Sequence, residues 1–576
     1  MNCRQPRFVA CLLATALVAG SQAVASTARR PNFVIIITDD MGFSDIGCYG
    51  GEIETPHIDR LAEEGIRFSQ FYNCSKCEPS RATLLRGHYW HSKPPGLNWR
   101  HDAPTFGQAL QQAGYRTMMV GKWHVHGAPL ECGFHRHFGF MRGGTDFFRG
   151  DETFTLDGKP WPVPKEGFYV TESLTEYAVR FLREERRDHP NRPLMLHLAY
   201  NAPHSPIQAL PRDVAKYRGR YRKGWDTLRE ERFRRQQKMG LAGAGWHLPP
   251  RPAGIPAWDA LDGRSRDFED LRMATYAGMV ECVDRGVGKV LAALDELGLR
   301  ENTLVVFMND NGASPNDRSR RGKFGEPGSQ WNVGLGWAHA SNTPFKFYKR
   351  TQHSGGVTTP FIARWPAAIK PTRQFEDQPC HFIDLFPTLV DLAGTEYPHS
   401  FGGHSLPALP GRSIAPVLTK GAKLPERTLY FQLFNNFAVV DRGWRLASAY
   451  GQPWRLYDLT NDRTETCDLA RVNPQRLTEM LDLQKRLAAR DDVAMRVSAG
   501  ELEPEHSPVY RADGRPGPPE SNKVKDETYA RLVSSEQSKG QRIADLDLDA
   551  IRERAEAIRA RPPAAKNPKR KRRKGR

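Results

Sequence analysis

Cysteine is scarce in this chain, nine residues in 576, so it is not a small scaffold held together by disulfides. Beyond the first 25 residues no apolar stretch reaches the roughly 18 residues that a membrane-crossing helix needs, and no transmembrane segment is expected. No internal repeat is present, which excludes solenoids and propellers. Acidic residues are missing from Arg561 to Arg576, where nine of the 84 Lys and Arg residues stand, and from residues 1–25, which hold Arg4 and Arg7. Without these eleven, the formal charge of +18 falls to +7 for residues 26–560. Such a body is only mildly basic, and no specific nucleic acid partner is expected. The 39% of hydrophobic residues excludes wholesale disorder.

What is present divides the chain into four parts. Arg4 and Arg7, the apolar run Phe8 to Gly20 and the small-x-small triplet Ala23-Val24-Ala25 read as a signal peptide over residues 1–25. The protein is therefore expected to be exported, periplasmic or secreted. Over 26–424, strand-like runs at Phe33–Ile37, Arg116–Val120, Leu194–Ala199 and Thr303–Met308 alternate with helical patterns. That alternation predicts an α/β domain with a mostly parallel central sheet flanked by helices. The clearest helix runs over about 273–297, with Gly298 closing it. Residues 211–240 are basic and interleaved with Tyr217, Tyr221, Trp225 and Phe233, but Asp226, Glu230 and Glu231 interrupt them, so they read as a solvated helix face.

From 425 to 500 the texture changes. Short strands at Leu429–Phe434, Phe437–Val440, Arg445–Ala449 and Trp454–Leu459, followed by a helix at 474–489, predict a small antiparallel C-terminal subdomain. Residues 501–576 are polar and basic, with one charged helix near 543–560, and read as a disordered tail.

Chemistry-bearing residues follow the ends of the predicted strands: Asp39-Asp40, Gly121-Lys122-Trp123-His124, Asn201-Ala202-Pro203-His204 and Asn309-Asp310-Asn311-Gly312. Ligands of parallel α/β sheets bind at the carboxyl ends of the strands, so these four segments are expected to converge. Each alone is an ordinary turn sequence. The segment Cys77-Glu78-Pro79-Ser80-Arg81-Ala82-Thr83-Leu84-Leu85-Arg86-Gly87 reads as a short helix with Pro79 in its first turn and Gly87 at its end. Cys77 then sits where the helix dipole favours an anion, and Arg81 returns to the same face one turn on.

This segment resembles the signature of the type I sulfatases, cysteine-x-proline-x-arginine followed by an alanine and two leucines. The resemblance covers most of residues 31–470 and takes in the Asp-Asp, Gly-Lys-Trp-His, Ala-Pro-His and Asp-Asn-Gly segments. It continues through Thr343-Pro344-Phe345-Lys346, Gly355-Gly356 and Trp365-Pro366 to Leu456-Tyr457-Asp458-Leu459. The chain is thus similar to arylsulfatase-type members of the alkaline phosphatase superfamily, and an alkaline-phosphatase-like fold is implied.

The resemblance implies a sulfuric ester hydrolase that cleaves an aryl or carbohydrate sulfate. Cys77 would be converted to formylglycine by a maturation enzyme, a partner of this chain. A hydrated aldehyde suits the reaction better than a thiolate, because its second hydroxyl can expel sulfate where a thiolate would leave an S-sulfonate. Asp39, Asp40, Asp310 and Asn311, with the oxygen of residue 77, would hold Ca²⁺ in preference to Mg²⁺, since hard oxygen donors suit such ions. Arg81 would hold the formylglycine hydrate, and Lys122 and Lys349 the sulfate oxygens. Asp310 would be base toward the attacking hydroxyl. His204 with Lys349 would protonate the leaving oxygen, and His124 would take the proton that releases sulfate.

Three positions depart from the pattern: Arg86 for threonine, Asn309 for serine or threonine, and Ser354 for the acidic residue before the paired glycines. His57, His88, His91, His126 and His353 have no clear partners in sequence; His91 and His126 are candidates to line a substrate pocket. Two other readings stand beside the sulfatase: a phosphodiester or phosphonate ester hydrolase with the same site, and a noncatalytic binder of sulfated polyanions.

Overall fold

The computed structural model describes residues 30–491 apart from 93–96, 253, 318–320, 435 and 449–452. The expected signal peptide and C-terminal tail, with its helix near 543–560, lie outside the described residues. An eleven-stranded sheet dominates the fold. Its strands are β1 (Asn32–Thr38), β2 (Ile66–Tyr72), β3 (Arg116–Lys122), β4 (Arg136–Phe140), β5 (Thr155–Leu156), β6 (Lys159–Pro160), β7 (Leu194–Ala199), β8 (Thr303–Asn309), β9 (Thr358–Arg364), β10 (Phe375–Glu376) and β11 (Cys380–His381). The order is β10-β2-β9-β8-β1-β7-β3-β4-β5-β6, with β11 also on β2.

Five central strands, β8-β1-β7-β3-β4, are mutually parallel. They are buried on both faces, which is why β1 reads as the continuous apolar run Phe33 to Ile37 and not as an alternation. On one edge β9 runs antiparallel to β8, and β2 antiparallel to β9, which restores the direction of β1. Two apolar layers cover the sheet. Val34 and Ile36 face the layer that contains the Gly263–Glu296 helix, and Phe33, Ile35 and Ile37 face the other. That helix starts ten residues before the expected 273, because Asp262 accepts a hydrogen bond from Ser265 N and caps it earlier.

A hairpin of β12 (Ser400–Phe401) and β13 (His404–Ser405) precedes a separate four-stranded antiparallel sheet. The latter consists of β14 (Leu429–Leu433), β15 (Asn436–Asp441), β16 (Trp444–Ser448) and β17 (Arg455–Asp458). One face packs on Tyr72 and Val357 of the larger unit, and the other on Met480 of the Pro474–Arg490 helix.

The basic stretch at 211–240 is only in part the solvated face expected from its composition: Arg212, Arg222 and Arg234 are exposed, but one side of it is core. Tyr217, Tyr221 and Trp225 are core residues, and Arg229 and Arg232 are buried. Arg232 pairs with Asp45 at 2.7 Å and with Glu52 at 2.8 Å, while Lys216, Arg218 and Arg222 pair with Glu54, Glu281, Asp270 and Asp267. The carboxylates that neutralise it are distant in sequence, so local composition concealed them. Among the described residues no helix is long and apolar enough to cross a membrane, and all seven cysteines are free thiols.

Candidate active site

The register explains why the chemistry gathers in one place. Thr38 pairs with Asn309, Ile37 with Ala199, and Ala199 with Gly121, so β8, β1, β7 and β3 end side by side. Asp310-Asn311, Asp39-Asp40, Asn201–His204 and Lys122–His124 leave the sheet there. Strand β2 points the same way and delivers the helix Cys77–Arg86, which Gly87 closes in the left-handed conformation (φ 72°). Because β9 is antiparallel, it is the segment before it, with Lys349, that reaches this end of the sheet.

All seven residues expected to be catalytic meet in a buried or half-buried cluster. Cys77 Sγ lies 3.3 Å from Asp39 Oδ1 and 3.0 Å from Lys349 Nζ. Lys349 Nζ also donates to Asp40 Oδ1, and Lys122 Nζ to Asp39 Oδ2, each at 2.5 Å. Arg81 Nε donates to Asp310 Oδ2 at 2.8 Å, and its Nη1 to the Lys122 carbonyl at 3.2 Å. His204 Nε2 stands 3.5 Å from Asp40 Oδ2, with its Nδ1 held 2.6 Å from the Ser205 carbonyl.

These contacts set the protonation states apart. Burial alone would push the Cys77 thiol up, but the ammonium groups of Lys122 and Lys349 outweigh it and bring it to about 6. Burial, and then the Asp39 carboxylate, raise Asp310 to about 7. Burial lowers His124 to about 2, with Lys122 and Arg81 adding to the effect. For His204 burial works downward, but Asp39 and Asp40 overcome it and raise the imidazole above its ordinary value. One imidazole is thus held neutral and the other is favoured as a cation.

The cluster also suits a hard cation. Asp40 Oδ2 and Asn311 Oδ1 are buried acceptors without a hydrogen-bond donor, although Asn311 Nδ2 is engaged with Asp40 Oδ1 at 2.7 Å. Such orphaned oxygens are what a bound divalent ion would satisfy. Ligand atoms of Asp39, Asp40, Cys77 and His204 all lie within 4.8 Å of one another, so His204, assigned to proton transfer by resemblance, borders the same pocket.

The structure adds a glycine pair that the sequence did not mark, a role for Asn309 and a cavity that includes His91. A Cβ on Gly143 would come within 2.8 Å of His124 Cε1 and Nε2, and one on Gly144 within 3.3 Å of His204 Cε1, so this glycine pair seats both imidazoles. Asn309 accepts from Thr38 Oγ1 at 2.9 Å and Met41 N at 3.0 Å and donates to Met41 O at 2.8 Å, fastening the Asp39-Asp40 turn. Beside the N-terminus of the Cys77–Arg86 helix a cavity of about 370 Å³ is lined by Lys76, Glu78, Trp90, His91, Arg100 and Phe434. His91 lines it but is tied to Asp491 at 3.2 Å, whereas His126 lies against His101 with the rings tilted by 44° and their centres 3.6 Å apart. The departing Arg86 is buried and donates to the Ala103 carbonyl, a packing role.

A buried cysteine, paired cations, a carboxylate cage and two histidines of opposite charge preference, at the carboxyl edge of a parallel sheet, suit a hydrolase of anionic esters. The sulfatase family model matches residues 31–395, and that of the N-sulphoglucosamine sulphohydrolase C-terminal region matches 345–492. The chain belongs to the sulfatase family and hydrolyses a sulfate ester. It is 30% identical to an uncharacterized sulfatase of Schizosaccharomyces pombe over 79% of this chain and 92% of that one. It is 29% identical to an arylsulfatase of Klebsiella aerogenes over 70% and 95%. The solved structure of Ps i-CgsB in complex with k-i-k-neocarrahexaose is similar at 26% identity and a TM-score of 0.59, covering 81% of this chain and 95% of that one.

Proposed function

We propose that residue 77, oxidised from cysteine to formylglycine, is the nucleophile of a calcium-dependent sulfatase acting on a sulfated glycan. The observation that carries this reading is the placing of Cys77 Sγ 3.0 Å from Lys349 Nζ and 3.3 Å from Asp39 Oδ1. In hydrated form the converted residue supplies one hydroxyl to attack sulfur and a second to expel sulfate. Calcium held by Asp39, Asp40, Asp310, Asn311 and the residue 77 oxygen would supply Lewis acidity toward the sulfate.

The side chains divide the remaining tasks. Lys122 and Lys349 bind sulfate oxygens, offsetting the charge that gathers there in the transition state. Arg81, whose guanidinium bridges Asp310 and the Lys122 carbonyl, holds the residue 77 hydrate. Asp310, held by the Arg81 guanidinium at 2.8 Å, takes the proton of the attacking hydroxyl. The cationic His204, with Lys349, protonates the leaving oxygen, and the neutral His124 receives the proton that frees the product. The glycan assignment is supported by the likeness to the Ps i-CgsB complex and by the cavity beside Trp90 and Phe434, where sugar rings have aromatic faces to pack on.

In this reading residues 1–25 direct export to the periplasm or exterior, and a formylglycine-generating enzyme acts on the chain before it folds. Residues 26–424 form the catalytic domain, 425–500 the C-terminal subdomain and 501–576 a basic tail dispensable for chemistry. Mass spectrometry of the peptide spanning residue 77, from active protein made in its native host, is expected to show formylglycine. Thorough chelation is expected to abolish aryl sulfate turnover, and added Ca²⁺ to restore it. A thiol at residue 77 in fully active protein, or full turnover without metal, would overturn the reading.

A further inference from the structure

Glu465 lies on the loop after β17, 155 positions beyond Asp310 in the chain, yet it is fully buried and carries a backbone φ of 58°. The left-handed region strains a residue with a side chain. Among the described residues the other non-glycine positions in it are Asp40, Ser75, His124, Phe347 and Arg350, in or near the site, and Asp157, Phe434 and Arg442 outside the catalytic cluster. Glu465 shares this strain with the site segments without being near them in sequence.

Its contacts lead to the same place. Glu465 Oε1 accepts from Ser354 N at 2.9 Å and Ser354 Oγ at 2.6 Å, and lies 3.3 Å from the buried Arg445 guanidinium. Arg445 donates to the Gln352 carbonyl at 2.9 Å, and Gln352 Nε2 to Ser75 Oγ at 2.7 Å, two residues before Cys77. The turn Ser354–Val357 that Glu465 grips is locked to the catalytic segments. Gly355 N donates to Lys346 O at 3.1 Å and Gly312 N to Gly356 O at 3.0 Å, while Lys349 N donates to Ala313 O at 3.2 Å. Lys349 and Asp310-Asn311 are therefore fixed relative to each other both directly, by the Lys349 N bond to Ala313 O, and through this turn. Position 354 is also where the chain has serine in place of the acidic residue of the sulfatase pattern, and the structure brings a carboxylate to that spot from elsewhere.

We propose that Glu465 is a positioning residue of the reaction, supplied by the C-terminal subdomain, which holds the Ser354–Val357 turn and so aligns Lys349 and Asp310-Asn311 with the bound sulfate. The inference rests on the roles given above to Lys349 and Asp310. It makes the C-terminal sheet part of the catalytic apparatus and not only a wall of the substrate cavity.

Full-length E465Q, E465A and the double variant S354D/E465A are to be compared with the parent on an aryl sulfate, with kcat, KM and thermal midpoint measured for each. Misplacing a catalytic group by about 1 Å can lower a rate about 100-fold. E465A is expected to lose about that factor in kcat with KM within about threefold of the parent, and E465Q to fall between the two. The double variant, with its carboxylate returned to the turn beside Arg445, is expected to recover at least about tenfold in kcat. A residue that only stabilises the fold would lower the thermal midpoint and leave kcat per folded molecule unchanged.

Folded E465A or E465Q within about twofold of the parent kcat overturns the proposal, as does a folded S354D/E465A no more active than E465A. If E465A does not fold, the double variant decides: activity supports the proposal, and a folded inactive protein overturns it. K349A measured alongside separates the two levels. An active K349A removes both the site reading and this inference, whereas an inactive K349A beside active Glu465 variants removes the inference alone.

Discussion

Replacing Gly312 by alanine tests the interlock of the catalytic segments with a single methyl group. A Cβ at this position would stand 1.9 Å from the Gly355 carbonyl oxygen and 3.3 Å from Gly356 Cα. Carbon and oxygen settle at about 3.3–3.6 Å, so the two segments must part by roughly 1.4 Å. No flexible side chain can give way, because the obstacle is backbone on both sides. The displacement would strain or break the 3.0 Å bond from Gly312 N to Gly356 O and shift Asp310, two residues away, relative to Lys349. Where about 1 Å of this displacement reaches Asp310 the rate falls about 100-fold, a loss of about 2.7 kcal/mol of transition-state stabilisation. Overpacking of this kind lowers stability by a further 1–3 kcal/mol, about the usual range. The assay is aryl sulfate hydrolysis followed by phenol release, together with thermal unfolding. G263A is the control, since a Cβ there meets nothing within 4 Å. A folded G312A enzyme with kcat within about threefold of the parent would refute the reasoning.

Other consequences can be checked in the same way. G143A pushes a methyl against the His124 ring, 2.8 Å from its Nε2, and is expected to lower kcat by at least about tenfold with little change in KM; an unchanged kcat would show that His124 is free to move. R232M leaves the fully buried Asp45 without its cation and is expected to destabilise by about 3–5 kcal/mol, seen as a lower denaturation midpoint; an unchanged midpoint would count against the pair. Asp284 accepts amide bonds from His57 N and Ile58 N at 3.0 and 2.8 Å, yet burial raises its carboxyl to about 7. An acid raised on folding gives its full stability below its unfolded pKa, near about 4, and loses it as the pH rises through about 7. D284N is therefore expected to flatten the decline of thermal midpoint between pH 4 and 8, roughly the window set by those two values; a parallel decline in parent and variant would contradict the assignment.

How much of this was legible depended on the range of the cause. The Cys77–Arg86 helix, its proline start and its glycine stop are local events, readable from ten residues. The central strands were visible because strands buried on both faces leave unbroken apolar runs. Strand β2 escaped notice because Arg67, Ser69 and Gln70 break its apolar run, and β4 because Arg136 and His137 interrupt it. The buried side of the basic stretch was hidden because its neutralising acids, Glu52, Asp45 and Asp270, come from other parts of the chain. Gly143 carries no signal of its own; only the ring of His124 against it gives it a purpose.

By itself the sequence, through its resemblance to the sulfatases, determined the reaction class and singled out Cys77 and a set of charged residues for the roles proposed here, because catalytic chemistry needs particular functional groups. It also determined the α/β alternation, since periodicity follows from burial. Only the tertiary structure decided which groups touch: that Lys349 reaches Cys77 across 272 positions, that His204 shares a pocket with Asp40, and that Glu465 stands in for the missing acid at Ser354. Contacts of that range are set by strand order and direction. An antiparallel β9 turns Lys349 toward the edge where the parallel strands end, and no stretch of local sequence records that choice.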